Sequence, residues 1–486
     1  MGIRRFNGNY KKRFKIRKHL NFLCHWPLAI GHRLYEYNFM ELNQNIFKAY
    51  DVRGIYPEEI NEEAVYKISQ AYLKVFKPKG QIVLGKDVRL SSPALWRSAA
   101  KGITNAGFDV IDIGTISTDM LYFAVANYGY AGGITISASH NPKEYNGMKF
   151  VREKAIAISS DTGLEDIKKE VLKEEEIMEP EKGEIIAKEI MIDYVKHCLS
   201  FINPKVIKPM KIVADANFGM AGVALNKILE FLPVEIVPLN FKPDGHFPKG
   251  RPDPLIPERR KEVSDLVRSE KVDLGVAWDG DADRCFIFDE NGEFVEGYFL
   301  TAILAEYLLK KNPKEKVISG PRLTWAVEDG VKKMGGKLLL NRPGHAFFKD
   351  RMRKEKAFFA GEMSGHYYFR DNFYADNGMI PLLLVLEELS KEGVKMSDLA
   401  KPYREKYFIS GEINQTVNDP DVVLKNAEEK YSKGKIEHID GVSVEFDDWR
   451  FNLRKSNTEP LIRLNVEAKS QKMVDEKVKE LMELIK

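Results

Sequence analysis

The chain has 486 residues, of which 44% are apolar and 30% are charged, and its formal net charge is +3. This length and composition predict a globular protein of about three or four domains, and no run of about 18 uncharged apolar residues indicates a membrane span. The cysteines form no C-x-x-C pair, which argues against a disulfide framework or a zinc site and favours a reducing, cytoplasmic location; they are Cys24, Cys198 and Cys285.

Basic residues concentrate at the beginning of the chain. Residues 1–39 contain nine Lys or Arg and one acidic residue, which leaves 66 basic and 71 acidic residues in the rest, a net charge of −5. A basic arm can bind nucleic acid or anionic lipid, but globular patterning begins only at Met40. We therefore expect residues 1–39 to lie outside the working fold, as a tail or as translated upstream sequence, and we expect neither a nucleic-acid nor a membrane partner.

Short β-branched runs alternate with helical patterns from about residue 80, which predicts βαβ units on largely parallel sheets. The pattern restarts twice, at intervals of roughly 100 residues, so three related α/β units are expected. The strand-like runs are QIVLG, FDVIDIG and GGITIS in the first unit, KIVADA, VEIVPL and LGVAWD in the second, and KVISG, KLLLNR and AFFAG in the third.

The order of elements changes near the end of the chain. After about residue 405, strand patterns cluster beside two helical patterns, which indicates a smaller α+β domain. A charged stretch at 165–184 predicts a solvated helix and a linker. We expect three α/β domains with mixed sheets and one α+β domain around a central cleft; the predicted bounds are 40–185, 186–293, 294–405 and 406–486.

Three carboxylates follow one apolar strand pattern in VAWDGDADR. Asp279, Asp281 and Asp283 recur at every second residue and can converge on a hard cation such as Mg²⁺. An EF-hand is a poor alternative, because its sixth position needs Gly and Arg284 stands there. An aspartyl phosphatase, in which one Asp is the nucleophile, stays open on spacing alone.

Two further loops carry polar groups suited to a sugar phosphate. The segment GEMSGH places a carboxylate, a hydroxyl and an imidazole between glycines that permit a close approach to backbone, at Glu362, Ser364 and His366. The segment RKSNTEPLIR combines hydroxyls, backbone N–H groups and guanidinium groups that can cradle a phosphate, at Arg454, Ser456, Asn457, Thr458 and Arg463.

Several other enzyme classes lack their motifs in this chain. Ser139 lies in TISASHNP, so the G-x-S-x-G elbow of a serine hydrolase is absent. The sequence contains neither G-x-x-x-x-G-K-[ST] nor any G-x-G, so neither nucleotide fingerprint supports a kinase or a dehydrogenase.

Four motifs in one order give the sequence a specific resemblance. FKAYDVRGIY is followed by TISASHNPKEYNGMKF, DGDADR, GEMSGH and RKSNTEP, each of the four motifs in its own predicted domain. Over about residues 46–486 the chain resembles the α-D-phosphohexomutase superfamily, most closely its phosphomannomutase/phosphoglucomutase branch. That resemblance implies interconversion of hexose 1-phosphates and hexose 6-phosphates of mannose, glucose or both.

The resemblance also implies a role for Ser139. It would carry a phosphoryl group and pass it to the sugar through a hexose 1,6-bisphosphate intermediate. Ser139 and the three aspartates, Asp279, Asp281 and Asp283, would hold Mg²⁺. The group that acts as general base stays open among His140, Lys149 and Arg53, which match positions around the phosphoserine.

The remaining matches lie on the substrate side. Pro343 and Ser137 stand where the family usually has Thr, and SGPRLTW departs from the family loop, with Arg322 as its only basic residue. The resemblance assigns substrate contacts to Tyr50, Arg284, His345, Glu362, Ser364 and His366, and distal phosphate contacts to Arg454, Ser456, Asn457, Thr458 and Arg463.

Three alternative functions can each be compared with specific features of this sequence. Phosphoglucosamine mutases usually read R-x-S-G-T-E-P and have Gln in the sugar loop, whereas this chain has Asn457 and Met363. An aspartyl phosphatase would form an acid-labile phosphate. A binder of sugar phosphates without catalysis could lose Ser139 or the aspartates, and this chain retains them.

Deleting residues 1–39 should leave kcat, KM and Tm nearly unaltered, because the globular pattern begins at Met40. Steady-state assays and thermal melts of the full and shortened chains check this expectation. A large loss in either measurement would mean that the arm packs on the rest of the protein.

Overall fold

Four β-sheets follow one another along the chain in the computed structural model, which describes residues 42–173, 175–455 and 461–485. The predicted tail at 1–39 lies outside these residues. The chain from Leu42 onward clusters as one compact unit. Within the described part, none of the helices has the length and apolar character that a bilayer span requires.

The first sheet has seven strands, parallel at its centre and antiparallel at one side. Its strands are β1 (Val52–Ile55), β2 (Ile82–Lys86), β3 (Val110–Thr115), β4 (Gly132–Ile136), β5 (Tyr145–Arg152), β6 (Ile156–Ala157) and β7 (Ile185–Ala187). Their order is β1-β5-β4-β2-β3-β7, with β6 beside β5. The sheet therefore reaches Ala187, two residues past the predicted domain boundary.

Four helices accompany the first sheet: α1 (Glu62–Phe76), α2 (Ser92–Asn105), α3 (Thr118–Asn127) and α4 (Leu164–Val171). Sequence analysis assigned no element before residue 80. Helix α1 begins where the Asn61 side chain accepts a hydrogen bond from the backbone N–H of Ala64 at 2.9 Å. Asn is a favoured N-cap residue because its side chain satisfies a helix N–H that has no partner within the helix.

The second sheet has five strands: β8 (Met210–Asp215), β9 (Val234–Leu239), β10 (Leu274–Trp278), β11 (Cys285–Phe288) and β12 (Phe294–Val295). Their order is β12-β11-β10-β8-β9. Strands β8, β9 and β10 are parallel, and β11 returns antiparallel to β10. The accompanying helices are α5 (Met191–Leu199), α6 (Ala221–Leu229) and α7 (Pro257–Glu270).

The third sheet also has five strands: β13 (Lys316–Ser319), β14 (Lys337–Leu340), β15 (Phe359–Gly361), β16 (Tyr367–Phe369) and β17 (Ala375–Asp376). Their order is β14-β13-β15-β16-β17. The helices of this part are α8 (Gly297–Lys311), α9 (Trp325–Lys333), α10 (His345–Glu355), α11 (Ile380–Glu392) and α12 (Met396–Arg404).

The fourth sheet is antiparallel throughout. Its strands are β18 (Phe408–Ile409), β19 (Ile413–Thr416), β20 (Lys435–Glu437), β21 (Val442–Glu445), β22 (Trp449–Lys455) and β23 (Leu461–Ala468), with helices α13 (Pro420–Lys430) and α14 (Gln471–Ile485). The order is β18-β23-β22-β21-β20, with β19 beside β23. This confirms the predicted fold class of three related α/β units and one α+β unit.

The first three sheets share one arrangement of strands. In each, a strand (β4, β10 or β15) pairs parallel to one neighbour and antiparallel to the strand that follows it in the chain. The connecting loops carry the predicted phosphoserine, the aspartates and the sugar-binding group. Three equivalent hairpin loops therefore hold three of the four predicted motifs.

A buried polar network joins the third and fourth sheets. Glu467 on β23 accepts hydrogen bonds from the Tyr298 hydroxyl on α8 and from the backbone N–H of Thr324 at 3.1 Å. Arg450 on β22 lies 3.7 Å from Glu467 and donates to the carbonyl of Arg322 at 2.8 Å. Because these groups are buried, each bond satisfies a group that would otherwise be costly to desolvate.

Replacing Tyr298 by Phe should destabilise the protein by about 1–3 kcal/mol, because it removes one donor from buried Glu467 and one acceptor from the backbone N–H of Ala326. Thermal melts should show a lower Tm. Tyr130→Phe is the matched control, since no hydrogen bond of its hydroxyl to a described residue is found. Equal midpoints for the two variants would contradict this account of the network.

Candidate active site

Ser139 lies in the loop that leaves β4, in a left-handed backbone conformation with φ of 50° and with only 2% of its surface exposed. Its Oγ donates a hydrogen bond to Asp279 Oδ2 at 2.8 Å and lies 3.1 Å from Nδ1 of His140. Ser139 thus directly faces the aspartate loop of the second sheet.

Arg89 fixes the backbone around Ser139. Its buried guanidinium donates to the carbonyl oxygens of Ser139 and Asn141, both at 2.7 Å, and of Pro142 at 2.6 Å, and it pairs with Asp87 at 3.2 Å. Arg89 was not among the residues predicted from the sequence. The available signal was its place just after β2, because β2 and β4 are parallel neighbours whose carboxyl ends meet at one edge of the sheet.

The three aspartates converge after β10, as predicted. Asp279, Asp281 and Asp283 are fully buried, and one carboxylate oxygen from each lies within 4.8 Å of the others. The ammonium of Lys149 on β5 is 2.7 Å from Oδ2 of both Asp281 and Asp283. Asp281 also accepts from the Thr118 hydroxyl at 2.5 Å, a partner that sequence analysis missed.

Burial and charge set the protonation of this cluster. Burial, together with the two neighbouring carboxylates, raises the pKa of Asp279 well above its usual range. Burial alone would also raise the pKa of Asp283, but Lys149 and His366 hold it well below. Burial would lower the pKa of Lys149, yet Asp281 and Asp283 raise it, so the ammonium stays protonated.

The carboxylates fit a divalent cation. Oδ1 of Asp281 is buried and accepts no hydrogen bond from the described residues. Oδ1 of Asp283 is also buried and lies 3.4 Å from Nε2 of His366. Mg²⁺ takes carboxylate oxygens as ligands. An EF-hand does not fit. Glu290, which would be its twelfth ligand, accepts instead from the Ser397 hydroxyl at 2.5 Å, and β11 directly follows the loop.

Two arginines and a neutral histidine surround Ser139. Arg53 on β1 pairs with Asp51 at 2.7 Å and donates to the Asn141 side chain at 2.6 Å. Arg284 lies 3.7 Å from Asp279. Burial, and then Arg284 and Arg53, hold the pKa of His140 well below its usual range. The two guanidinium groups can therefore bind phosphoryl oxygens next to an uncharged imidazole.

The predicted sugar-binding loop connects β15 to β16. Both oxygens of Glu362 are held, one by the Tyr368 hydroxyl and the other by the backbone N–H of Gly344 at 3.0 Å. Ser364 Oγ lies 3.1 Å from Nδ1 of His366. Nε2 of His366 lies 3.4 Å from Asp283, so this loop contacts the aspartate loop directly.

His345 is the first residue of α10 and packs against the first domain. Its ring meets that of Tyr50 edge to face, with centroids 4.6 Å apart. Burial raises the pKa of Tyr50, and burial followed by Lys349 holds the pKa of His345 well below its usual range. The predicted substrate histidine is therefore uncharged.

A second polar cluster lies in the fourth sheet. Arg454 on β22, Arg463 on β23 and Arg322 all pair with Glu412, at 2.8, 3.3 and 3.4 Å. Arg322 and Arg454 also approach Asp440, at 3.5 and 3.7 Å. Among the described residues these arginines make no hydrogen bond or ion pair with the Ser139 cluster. The predicted phosphate-loop residues Ser456, Asn457 and Thr458 lie outside the described residues.

Family models match successive parts of the chain. They describe phosphoglucomutase/phosphomannomutase alpha/beta/alpha domain I over residues 44–178, domain II over 192–292, domain III over 296–407, and the C-terminal domain over 412–484.

Named relatives are similar over most of the chain. A phosphomannomutase of Vibrio cholerae serotype O1 is 45% identical over 454 residues, which cover 90% of this chain and 98% of that protein. A protein of Xanthomonas campestris pv. campestris named phosphohexose mutases is 43% identical, over 90% of this chain and 99% of that one. A crystal structure of a phosphoglucomutase/phosphomannomutase family protein from Burkholderia thailandensis has a TM-score of 0.82 and 28% identity, covering 91% and 98% of the two chains.

The same four domains occur in the same order, and they place a serine, three carboxylates and a polar loop against one another. Together with identities of 43–45% over about 90% of the chain, this arrangement identifies the protein as a hexose phosphate mutase that belongs to the phosphoglucomutase/phosphomannomutase family.

Proposed function

We propose that this enzyme interconverts the 1-phosphates and 6-phosphates of mannose, glucose or both, through a phosphoserine at Ser139 and a hexose 1,6-bisphosphate. The observation that carries the proposal is the 2.8 Å hydrogen bond from Ser139 Oγ to Asp279, one of three converging aspartates. A nucleophilic oxygen and a carboxylate cluster are thereby adjacent, although they come from different sheets.

Phosphoryl transfer proceeds in two steps. In the first step the phosphoryl group of phosphorylated Ser139 passes to O6 of a hexose 1-phosphate: the bond from phosphorus to Oγ breaks, the bond to O6 forms, the O6 proton passes to a base and Oγ takes up a proton. The 1,6-bisphosphate then turns over in the cleft. In the second step the C1 phosphoryl group returns to Ser139: its bond to O1 breaks, its bond to Oγ forms, the Oγ proton is removed and O1 takes up a proton, which releases hexose 6-phosphate and restores the phosphoenzyme.

The residues around Ser139 stabilise the charge that develops during transfer. Arg53 and Arg284 lie beside the Ser139 loop, and Lys149 pairs with Asp281 and Asp283 in the aspartate loop. We assign Mg²⁺ to the three aspartates and to an oxygen on Ser139, where the ion would act as a Lewis acid on phosphoryl oxygens. The buried Oδ1 of Asp281, which accepts no hydrogen bond from the described residues, supports this assignment.

Proton acceptance is assigned to His140 among the three candidates. Lys149 and Arg53 are cations in ion pairs, at 2.7 Å from their carboxylate partners, and a protonated nitrogen has no lone pair to accept a proton. Burial and the neighbouring arginines keep His140 neutral by lowering its pKa. A neutral imidazole retains one acceptor nitrogen.

The distal phosphate is assigned to the fourth domain. Arg322, Arg454 and Arg463 converge on Glu412, so three guanidinium groups point at one anion. A phosphate offers more acceptor oxygens than a carboxylate, and the paired N–H groups of the same guanidiniums can bind it. One such site serves both steps, because the bisphosphate presents either phosphate to it after reorientation.

The relatives and the reorientation of the bisphosphate support the proposed sugar preference. Proteins named phosphomannomutase and phosphohexose mutases are 43–45% identical to this chain. Glucose and mannose differ only at C2. A sugar that binds in two orientations can be held consistently only by hydroxyls that superpose after the flip, so we assign the Glu362 loop to the O3/O4 edge and expect weak discrimination at C2.

Ser139→Ala should abolish stable phosphorylation and lower mutase turnover by several orders of magnitude, because the covalent route is removed. Intact-mass analysis of the purified protein, with the site mapped, detects the phosphate. Ser269→Ala is a matched control, since Ser269 is exposed on α7.

Near-normal turnover of Ser139→Ala would overturn the assignment. Acid and hydroxylamine treatment separates the rival chemistry, because a phosphoserine survives both and an aspartyl phosphate does not. Loss of the phosphate under these conditions would favour an aspartate nucleophile.

Glu362→Gln should lower kcat/KM for glucose 1-phosphate and mannose 1-phosphate together, by about 10- to 150-fold, the loss expected for one charge-assisted hydrogen bond. The Gln carbonyl must face the N–H of Gly344, so its amide nitrogen turns toward Tyr368 and the anionic acceptor is lost. Steady-state kinetics with both sugars measure the effect.

Glu405→Gln is the control and should leave kcat/KM for glucose 1-phosphate and for mannose 1-phosphate unchanged, because Glu405 is an exposed residue at the end of α12. A large loss of kcat/KM for one epimer alone would mean that Glu362 contacts the hydroxyl at C2. The proposed use of both sugars would then be wrong.

A further inference from the structure

Lys349 lies fully buried behind the sugar-binding loop, on the same helix as His345. Its ammonium contacts Asp376 Oδ1 at 2.7 Å, the Tyr122 ring at 3.7 Å from the centroid, and Nδ1 of His345 at 3.3 Å. An ammonium has three N–H bonds and no acceptor. The ammonium therefore lies among a carboxylate, a ring face and an imidazole nitrogen, each of which can interact with a positive charge.

The contact with Lys349 determines where the proton of His345 is. Burial lowers the pKa of Lys349, but the ion pair with Asp376 at 2.7 Å opposes this shift and favours the ammonium. An ammonium only donates, so Nδ1 of His345 accepts, and an accepting nitrogen carries no hydrogen. Burial, and then Lys349, also hold the pKa of His345 well below its usual range, so the ring is neutral. A neutral imidazole with a bare Nδ1 carries its single proton on Nε2.

Nε2 of His345 is a buried donor without an acceptor among the described residues, and only 6% of the residue's surface is exposed. A buried N–H without a partner costs free energy, so such groups usually meet a ligand or water. The ring lies between Tyr50 and His366, with centroid distances of 4.6 and 6.1 Å. Both neighbours belong to the substrate side of the cleft.

We infer that Lys349 is a positioning residue that holds His345 as the Nε2–H tautomer, so that this N–H donates to an oxygen atom of the bound sugar phosphate. The inference rests on the proposed function for the identity of the ligand. The assignment of the tautomer does not, because it follows from Lys349 and His345 alone.

Asp376 has a separate part in this arrangement. It is fully buried and pairs with Lys349, so it keeps the ammonium in place. Removing Lys349 alone would leave a buried carboxylate without its counter-charge, which is strongly destabilising. The double variant Lys349→Met/Asp376→Asn removes both charges with little change in volume and is the version expected to fold.

Histidine-selective ¹⁵N labelling reads the tautomer directly. In spectra of the full chain, the signal of His345, assigned by its loss in His345→Gln, should show the Nε2–H pattern. The same signal should change to the Nδ1–H form or to a mixture in Lys349→Met/Asp376→Asn. Lys354→Met is the control on the same helix, and its spectrum should match the wild type because Lys354 is 69% exposed.

Kinetics supply the second readout. The Lys349→Met/Asp376→Asn variant should lose about 10- to 100-fold in kcat/KM while its phosphate on Ser139 stays at the wild-type level. His345→Gln should retain at least about tenfold more kcat/KM than His345→Asn, because a Gln amide nitrogen mimics Nε2 and an Asn amide nitrogen mimics Nδ1. A lysine that only stabilised the fold would not make kcat/KM of His345→Gln higher than that of His345→Asn.

The outcomes separate the inference from the proposed function. A proton on Nδ1 of wild-type His345, an unchanged tautomer in the double variant, or equal activity of the Gln and Asn variants would overturn the inference even if Ser139 carries phosphate. Absence of phosphate on Ser139 in every variant would overturn the proposed function, and the ¹⁵N spectra would still decide the tautomer.

Discussion

The buried aspartate cluster is the electrostatic constraint on which the rest of the site depends. Three carboxylates within 4.8 Å of one another repel strongly in a buried position, unless positive charge lies among them. Lys149 supplies that charge in the structure, with contacts of 2.7 Å to Asp281 and Asp283. Because Lys149 comes from β5 of the first sheet, the same attraction holds the first and second domains together and brings Ser139 to Asp279.

Repetition of one strand arrangement explains how distant motifs meet. The Ser139 loop, the aspartate loop and the Glu362 loop each connect a parallel strand to its antiparallel neighbour, in the first, second and third sheets. Contacts between these loops then close the site, since Ser139 bonds to Asp279 and His366 approaches Asp283. The fourth sheet contributes a separate group of arginines, which suits the proposed bisphosphate, whose two phosphates would exchange positions.

Burial divides the ionisable groups of the cleft into charged and neutral ones. Lys149 and Arg53 stay cationic because each has a carboxylate partner at 2.7 Å. His140 and His345 lie in the same surroundings, but burial and nearby cations lower their pKa values, so both are neutral. Cations can stabilise developing negative charge and neutral imidazoles can donate or accept protons, so this division of charge is consistent with the proposed phosphoryl transfer.

The sequence alone determined the fold class and the order of the polar motifs along the chain. Alternating strand and helix patterns, and short polar motifs after strands, are local features that can be read without the tertiary structure. It did not reveal helices such as α8, which is buried on almost every side and so shows no polar face. Nor did it reveal Arg89 or Lys349, which look like ordinary charged residues in the sequence. Only the tertiary structure decides that each is buried against specific acceptors, because a buried charge takes its role from the groups that compensate it.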